Sequence, residues 1–91
     1  EDFMITINGI EFPDNSKAVI LEPRECHCSA IISYDEERDV AIYSERLFLM
    51  SLMICNDFSY AQAIEWYSYN TLAVRIKNYP VFIDEDGEEA I

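Results

Sequence analysis

Residues 59–74 read SYAQAIEWYSYNTLAV and form the clearest helical pattern in the chain. Ser59 followed three residues later by Gln62 matches a capping box, in which each side chain binds the free backbone N–H of the other residue. At 100° per residue, six residues fall on one side of the helix and form a predicted packing face: Tyr60, Ala63, Ile64, Tyr67, Thr71 and Val74. The pattern therefore predicts an amphipathic helix that begins after Ser59 and ends between Thr71 and Lys77.

The opposite side of the same helix carries side chains that suit recognition: Gln62, Glu65, Trp66 and Tyr69. Exposed Trp and Tyr anchor protein interfaces, because each buries a large area at a small cost in conformational entropy. We predict that these four residues bind a partner protein. The alternative is that Trp66 and Tyr69 pack onto the preceding helix or the final strand and belong to the core.

The preceding segment, residues 47–55, reads LFLMSLMIC and is apolar on nearly every side. Ser44 is placed to cap a helix here, and Glu45 suits the positive end of the helix dipole. Asn56 and Asp57 then end the helix. Because a helix that is apolar all round is buried on most faces, we expect its remaining flank to be covered by the second helix or by a second subunit.

Short apolar runs predict the strands. Residues 3–12 contain an Asn-Gly dipeptide between two such runs, which is typical of a tight hairpin. Residues 18–21 predict a strand, residues 28–34 and 39–43 predict a second hairpin, and residues 81–83 predict a short final strand after a proline. The predicted class is α+β: an antiparallel sheet of four to six short strands, with two consecutive helices on one face and a short C-terminal strand.

The composition is that of one packed domain over residues 1–91. Half of the residues are hydrophobic, and only two glycines and three prolines interrupt them. Met4 is typical of a natural start, which leaves open whether residues 1–3 are native, and residues 84–91 predict an acidic tail. A domain of this size has a small margin of stability, so oligomerisation would help it.

The charge restricts the partners that this chain can bind. Eighteen acidic residues against six basic ones give a formal net charge of −12. This charge repels phosphate backbones and anionic membranes, so we expect a basic protein partner and no direct binding of nucleic acid or membrane. The alternative is that the charge only maintains solubility. Two acidic clusters are candidate contacts: Asp35, Glu36, Glu37, Asp84, Glu85 and Asp86.

Three cysteines and a single histidine raise the question of a disulfide or a metal site. Cys26 and Cys28 are too close for a relaxed bridge, and Cys55 stands alone, so the pattern indicates no disulfide framework and favours a reducing, cytoplasmic compartment. A zinc site built from the three cysteines and an acid is an alternative, but the chain lacks a Cys-x2-Cys knuckle. We predict no metal and no cofactor, with Cys28 and Cys55 acting as small apolar residues.

Enzymatic chemistry is not indicated. Adjacent Cys26 and His27 point to opposite faces of an extended chain, so they cannot pair as a catalytic dyad. The acidic clusters fall in segments expected to be solvated, where burial does not tune a carboxylate for acid–base work. Two glycines cannot build a phosphate-binding loop. We therefore expect a non-enzymatic protein.

The C-terminal half resembles a group of small phage and prophage proteins that share an Ala-x-Glu-Trp-x-x-Tyr-Asn-Thr-like helix ahead of a proline-led apolar strand. The matching residues are Ala63, Glu65, Trp66, Tyr69, Asn70 and Thr71. This chain has residues 76–80, IKNYP, where the group often has Leu-Pro-Tyr. The group is uncharacterised, so the resemblance implies an origin in a mobile element and no catalytic residue.

Small acidic proteins of such origin are similar in kind to inhibitors of bacterial immunity, including anti-CRISPR proteins. The predicted function is therefore inhibition of a defence protein in the host cytoplasm, through the acidic clusters and the recognition face. One alternative is a structural protein that forms a homodimer through residues 47–55. The other is a small zinc-binding domain.

Overall fold

The computed structural model describes residues 4–90, and the question of residues 1–3 lies outside them. Its main elements are β1 (Met4–Ile7), β2 (Ile10–Pro13), α1 (Arg24–His27), β3 (Ile31–Asp35), β4 (Val40–Ser44), α2 (Glu45–Asn56), α3 (Tyr60–Tyr67) and β5 (Val81–Ile83). A 3₁₀ turn (Cys28–Ala30) joins α1 to β3, and a π-helical turn (Ser68–Leu72) extends α3. This order confirms the predicted α+β class with two consecutive helices and a C-terminal strand.

The five strands are divided over two small sheets. β1 and β2 form an antiparallel hairpin, whereas β3, β4 and β5 form a sheet in that order. β3 pairs with β4 antiparallel, but β5 pairs with β4 parallel, with Ile42 opposite Val81. A parallel partner needs a long crossover, and the chain through α2 and α3 provides it.

Residues 18–21 were predicted as a strand, and this prediction is wrong. The Val19 N–H donates to the Asn78 carbonyl at 2.9 Å, and the Leu21 N–H donates to the Tyr43 hydroxyl at 3.0 Å. The segment packs on the core as an irregular chain. A short apolar run indicates burial, but it does not show that the segment pairs with another strand. The predicted strand 28–34 likewise begins only at Ile31, after α1 and the 3₁₀ turn.

Phe48 of α2 lies at the centre of an aromatic core. Its ring centroid is 4.7 Å from that of His27 and 5.1 Å from that of Phe82. The rings of Tyr43, Tyr67 and Trp66 also surround it, with centroids between 5.9 and 6.4 Å away. The Phe48 side chain of α2 therefore contacts aromatic rings of both the β3–β4–β5 sheet and α3.

Both predicted helix starts are confirmed. The Ser44 hydroxyl accepts from the Leu47 N–H at 3.2 Å and caps α2. Ser59 and Gln62 form both hydrogen bonds of the capping box at the start of α3. α2 ends at Asn56, as predicted, and the α-helical part of α3 ends before Thr71, because the chain widens into the π-helical turn.

The prediction that Cys55 stands alone is wrong, since Cys26 and Cys55 form a disulfide with their Cα atoms 6.1 Å apart. The pair forms because Cys26 lies in α1, which packs against α2. Cys55 is exposed rather than buried at the end of α2, and Cys28 is half-buried in the 3₁₀ turn instead of beginning a strand. The cysteines therefore give no support to a reducing compartment, and the cytoplasmic location stays a prediction.

The acidic segment after β5 folds back on that strand. The Asp84 carboxylate accepts from the backbone N–H groups of Asp86 and Glu88 at 2.9 and 3.0 Å. The Ala90 N–H then donates to the Phe82 carbonyl at 2.8 Å. Residues 84–89 are exposed, as the prediction of a solvated acidic tail implied, and the hydrogen bonds fold them into a turn that returns to β5.

Within residues 4–90, no single helix is long and apolar enough to cross a membrane. α2 and the helix that follows it, Tyr60–Leu72, reach the required length and composition only together, across a bend of 114°.

Candidate protein-binding surface

The predicted recognition face of α3 borders an open groove of about 390 Å³. Six residues line this groove, which we call the α3 groove: Phe58, Gln62, Glu65, Trp66, Tyr69 and Asn70. The four predicted helical site residues are therefore brought together on one concave surface. None of the six lining residues is basic, so Glu65 gives the α3 groove a negative charge.

Trp66 and Tyr69 have different environments. Trp66 is half-buried and packs against the core, with its ring centroid 6.4 Å from that of Phe48. Tyr69 is 76% exposed. Trp66 thus contributes one face to the core and the remainder to the α3 groove, whereas Tyr69 is free to contact a partner. The Asn70 side chain donates to the Trp66 carbonyl at 3.0 Å and fixes the helix between them.

The predicted packing face of α3 is only partly buried. Ala63, Tyr67 and Thr71 are buried, but Tyr60 and Ile64 are exposed. They stay exposed because an open cleft of about 200 Å³ lies beside them and Leu49 of α2.

Tyr67 is the polar contact between the two helices. Its hydroxyl donates to the Glu45 carboxylate at 2.8 Å. Burial, and then this hydrogen bond, raise the pKa of Tyr67, so the phenol stays protonated at neutral pH. Glu45 thus accepts a hydrogen bond from α3, and because it is only half-buried, part of its side chain remains accessible to solvent.

A second groove of about 460 Å³ lies between α2 and the turn after β5. We call it the α2 groove, and its lining residues are Glu45, Arg46, Leu49, Met50, Met53, Tyr60, Asp84, Glu85 and Asp86. The predicted acids of residues 84–86 therefore lie beside apolar side chains of α2. The α2 and α3 grooves share no lining residue.

The acids of the β3–β4 turn line neither groove. The Arg38 Nε atom lies 2.7 Å from the Asp35 carboxylate, and its Nη2 atom lies 2.9 Å from the Glu89 carboxylate. The second ion pair ties this turn to the segment after β5. The hydrogen bonds from Arg38 lower the pKa of Asp35. Glu36 and Glu37 remain exposed on the same turn.

Asp39, which the sequence did not single out, holds the loop before α1 in place. Its carboxylate accepts from the hydroxyls of Ser16 and Tyr34, both at 2.5 Å, and from the Lys17 N–H at 2.9 Å. These hydrogen bonds lower the pKa of Asp39. Asp39 therefore has a structural role, and no sequence signal marked it, because Ser16 and Lys17 lie 23 and 22 residues away along the chain.

The cysteines and His27 do not assemble a metal site among residues 4–90, where no cluster of three candidate ligands occurs. His27 is buried, and its Nδ1 lies 2.7 Å from the Ser51 hydroxyl. The hydroxyl has one proton and donates it to the Phe48 carbonyl at 2.7 Å. In this network Nδ1 donates to the Ser51 oxygen. Burial lowers its pKa.

The sequence missed the apolar part of the α2 groove. Met50 and Met53 come from a segment that was expected to be buried. Two methionines three residues apart on one helix were the available signal.

Comparison of the chain with protein-family models, curated proteins and solved structures finds no match. Function therefore has to be argued from the two grooves and the charge. The geometry suits binding, because both grooves are open, shallow and lined by aromatic or flexible apolar residues next to carboxylates.

Proposed function

We propose that this chain is a non-enzymatic binding protein of phage or prophage type that inhibits a bacterial defence protein, such as a CRISPR effector, by covering a basic surface. The α3 groove is the observation that carries the proposal, because it collects Gln62, Glu65, Trp66 and Tyr69 around one concavity. The phage origin comes from the resemblance of the C-terminal half, and the location in the host cytoplasm stays a prediction.

Aromatic contacts and charge play different parts in such an interface. An exposed ion pair contributes only about 0.2–1 kcal/mol and is screened by salt. A buried aromatic anchor contributes about 2 kcal/mol or more. Tyr69 should therefore supply affinity, whereas the net charge of −12 should mainly accelerate encounter with a basic partner.

The test is binding of the purified chain to purified CRISPR effector complexes and other defence proteins, at about 50 mM and about 500 mM salt. We expect at least one of them to bind, with an association rate that falls at high salt. Tyr69→Ala should weaken that complex by about tenfold or more.

Ile76→Ala is the matched control, because Ile76 is 60% exposed and lies outside both grooves. Its affinity should equal that of the wild-type chain. Binding to none of the defence proteins, or binding that ignores both salt and Tyr69→Ala, would contradict the proposal.

A homodimer through residues 47–55 is the second candidate, and the exposure of Met50 and Ile54 on α2 favours it. Sedimentation equilibrium at high protein concentration tests it directly. A monomer at every concentration removes this candidate and leaves the inhibitor proposal unaffected.

A further inference from the structure

We propose that the α2 groove binds a cationic amphipathic segment of the partner protein. The inference rests on the proposed function in one respect, that the partner is basic. It differs in assigning a separate surface and a class of ligand: a short helix that carries apolar side chains on one face and Lys or Arg at its margins.

The apolar part of the α2 groove suits a helix. Met50 is 42% exposed and Tyr60 is 59% exposed, and the half-buried Met53 and the buried Leu49 line the same groove. Methionine is unbranched and polarisable, so it adapts to different apolar partners. α2 has 12 residues and is about 18 Å long, which is room for about three turns of a partner helix.

The charges around the α2 groove select the sign of the ligand. Its lining includes four acids, Glu45, Asp84, Glu85 and Asp86, against the single base Arg46. A second copy of this chain carries a net charge of −12, which disfavours it as the occupant of this acidic groove, and the same holds for a nucleic acid or an anionic membrane. A neutral apolar segment would add no partner for the carboxylates of Glu85 and Asp86. A cationic segment satisfies both the apolar and the acidic parts.

The acids of the α2 groove are positioned before any ligand arrives. Asp84 accepts two backbone hydrogen bonds and orders the turn that presents Glu85 and Asp86. Arg38, paired with Glu89, ties the end of that turn to the β3–β4 connection. A positioned acidic margin costs less conformational entropy on binding than a free tail does.

The probe is a synthetic peptide of about 14 residues with leucines at helical spacing i, i+3, i+4 and i+7 and lysines elsewhere. A scrambled peptide of the same composition has the same charge without the apolar face. We expect the full chain to bind the amphipathic peptide about tenfold more tightly than the scrambled one, measured by fluorescence anisotropy at moderate salt.

Two charge-matched double variants locate the site. Glu85→Gln with Asp86→Asn removes two charges from the α2 groove, whereas Glu36→Gln with Glu37→Gln removes two charges from the β3–β4 turn. The first pair should weaken peptide binding by about fivefold or more, and the second by less than about twofold. Met50→Gln, which tests the apolar part at constant size, should remove most of the preference for the amphipathic peptide.

Three results would overturn the inference: equal affinity for both peptides, equal losses in the two double variants, or a loss with Tyr69→Ala and none with Met50→Gln. The last result would place the peptide in the α3 groove. These measurements need no defence protein, so absence of binding to CRISPR effectors overturns the proposed function alone. Circular dichroism of each variant shows that the fold is retained.

Discussion

α2 and α3 follow each other in the chain but relate to the core in different ways. α2 was predicted to be buried on most faces, yet Met50 and Ile54 are exposed beside the buried Phe48. α3 was predicted to be two-faced, yet Trp66 from its outer face packs against the core and Tyr60 from its inner face is exposed. Each helix therefore has one side packed on the core and another side that borders a groove.

The difference teaches that the number of available neighbours decides how much of an apolar helix is covered. Within residues 4–90, the elements available to cover α2 are the three-stranded sheet, α3 and the short α1. The apolar residues left over line an open groove. The helix that contains α3 is bent by 114° from α2, so its predicted packing face does not lie wholly against α2.

The largest expected effect separates the two sides of α2. Phe48→Ala should reduce the free energy of unfolding by about 3–5 kcal/mol, because the cavity lies among five other rings. Met50→Ala should change it by less than about 0.5 kcal/mol. Urea unfolding followed by circular dichroism measures both. Similar losses in the two variants would mean that α2 is covered on both sides.

An intermediate effect separates the two aromatic residues of the α3 groove. Trp66→Ala should cost about 1–3 kcal/mol of unfolding free energy, because Trp66 is half-buried against Phe48. Tyr69→Ala should cost less than about 0.5 kcal/mol, so its binding loss can be attributed to the interface. The measurement is thermal unfolding of both variants. A Tyr69→Ala protein as unstable as Trp66→Ala would mean that both residues are part of the core.

The smallest expected effect concerns His27, which packs on the inner side of α2. Because burial lowers its pKa below the ordinary 6.5, the folded chain keeps it neutral where the unfolded chain takes up a proton. The contribution of His27 to the free energy of unfolding is therefore fully present above about pH 6.5. Below that pH the free energy of unfolding falls by up to about 1.4 kcal/mol per pH unit.

Urea unfolding between pH 7 and pH 5 measures this loss, since Asp35 and Asp39, whose pKa values are lowered from 3.8, contribute only at lower pH. His27→Asn retains a donor for Ser51 and does not titrate, so its stability should be flat over this range. An equal slope in wild type and variant would assign the pH dependence to other groups. His27 is the single histidine of the chain, which makes the comparison clean.

Local features were predicted well. The helix caps at Ser44 and Ser59 follow from side-chain hydrogen bonds within three residues, and both are present. The position of Gln62, Glu65, Trp66 and Tyr69 on one surface follows from helical spacing. That Trp66 packs against the core while Tyr69 is exposed could be seen only from the position of Phe48 in α2.

Features that join distant segments were not predictable. The Cys26–Cys55 disulfide links residues 29 apart in sequence, and it depends on α1 forming where the pattern suggested no helix. The α2 groove joins residues 45–53 to residues 84–86. Its acids were expected in a solvated tail, and composition does not reveal the Asp84 hydrogen bonds that fold the turn back on β5.

The sequence by itself determined the α+β class, the starts of α2 and α3, and the strongly acidic surface, because hydrophobic period, capping and charge act over a few residues or over the whole composition. The tertiary structure alone decided the parallel pairing of β5, the disulfide and the two grooves. The reason is that each of these depends on which long-range contacts bury the most apolar surface, and many arrangements share the same local pattern.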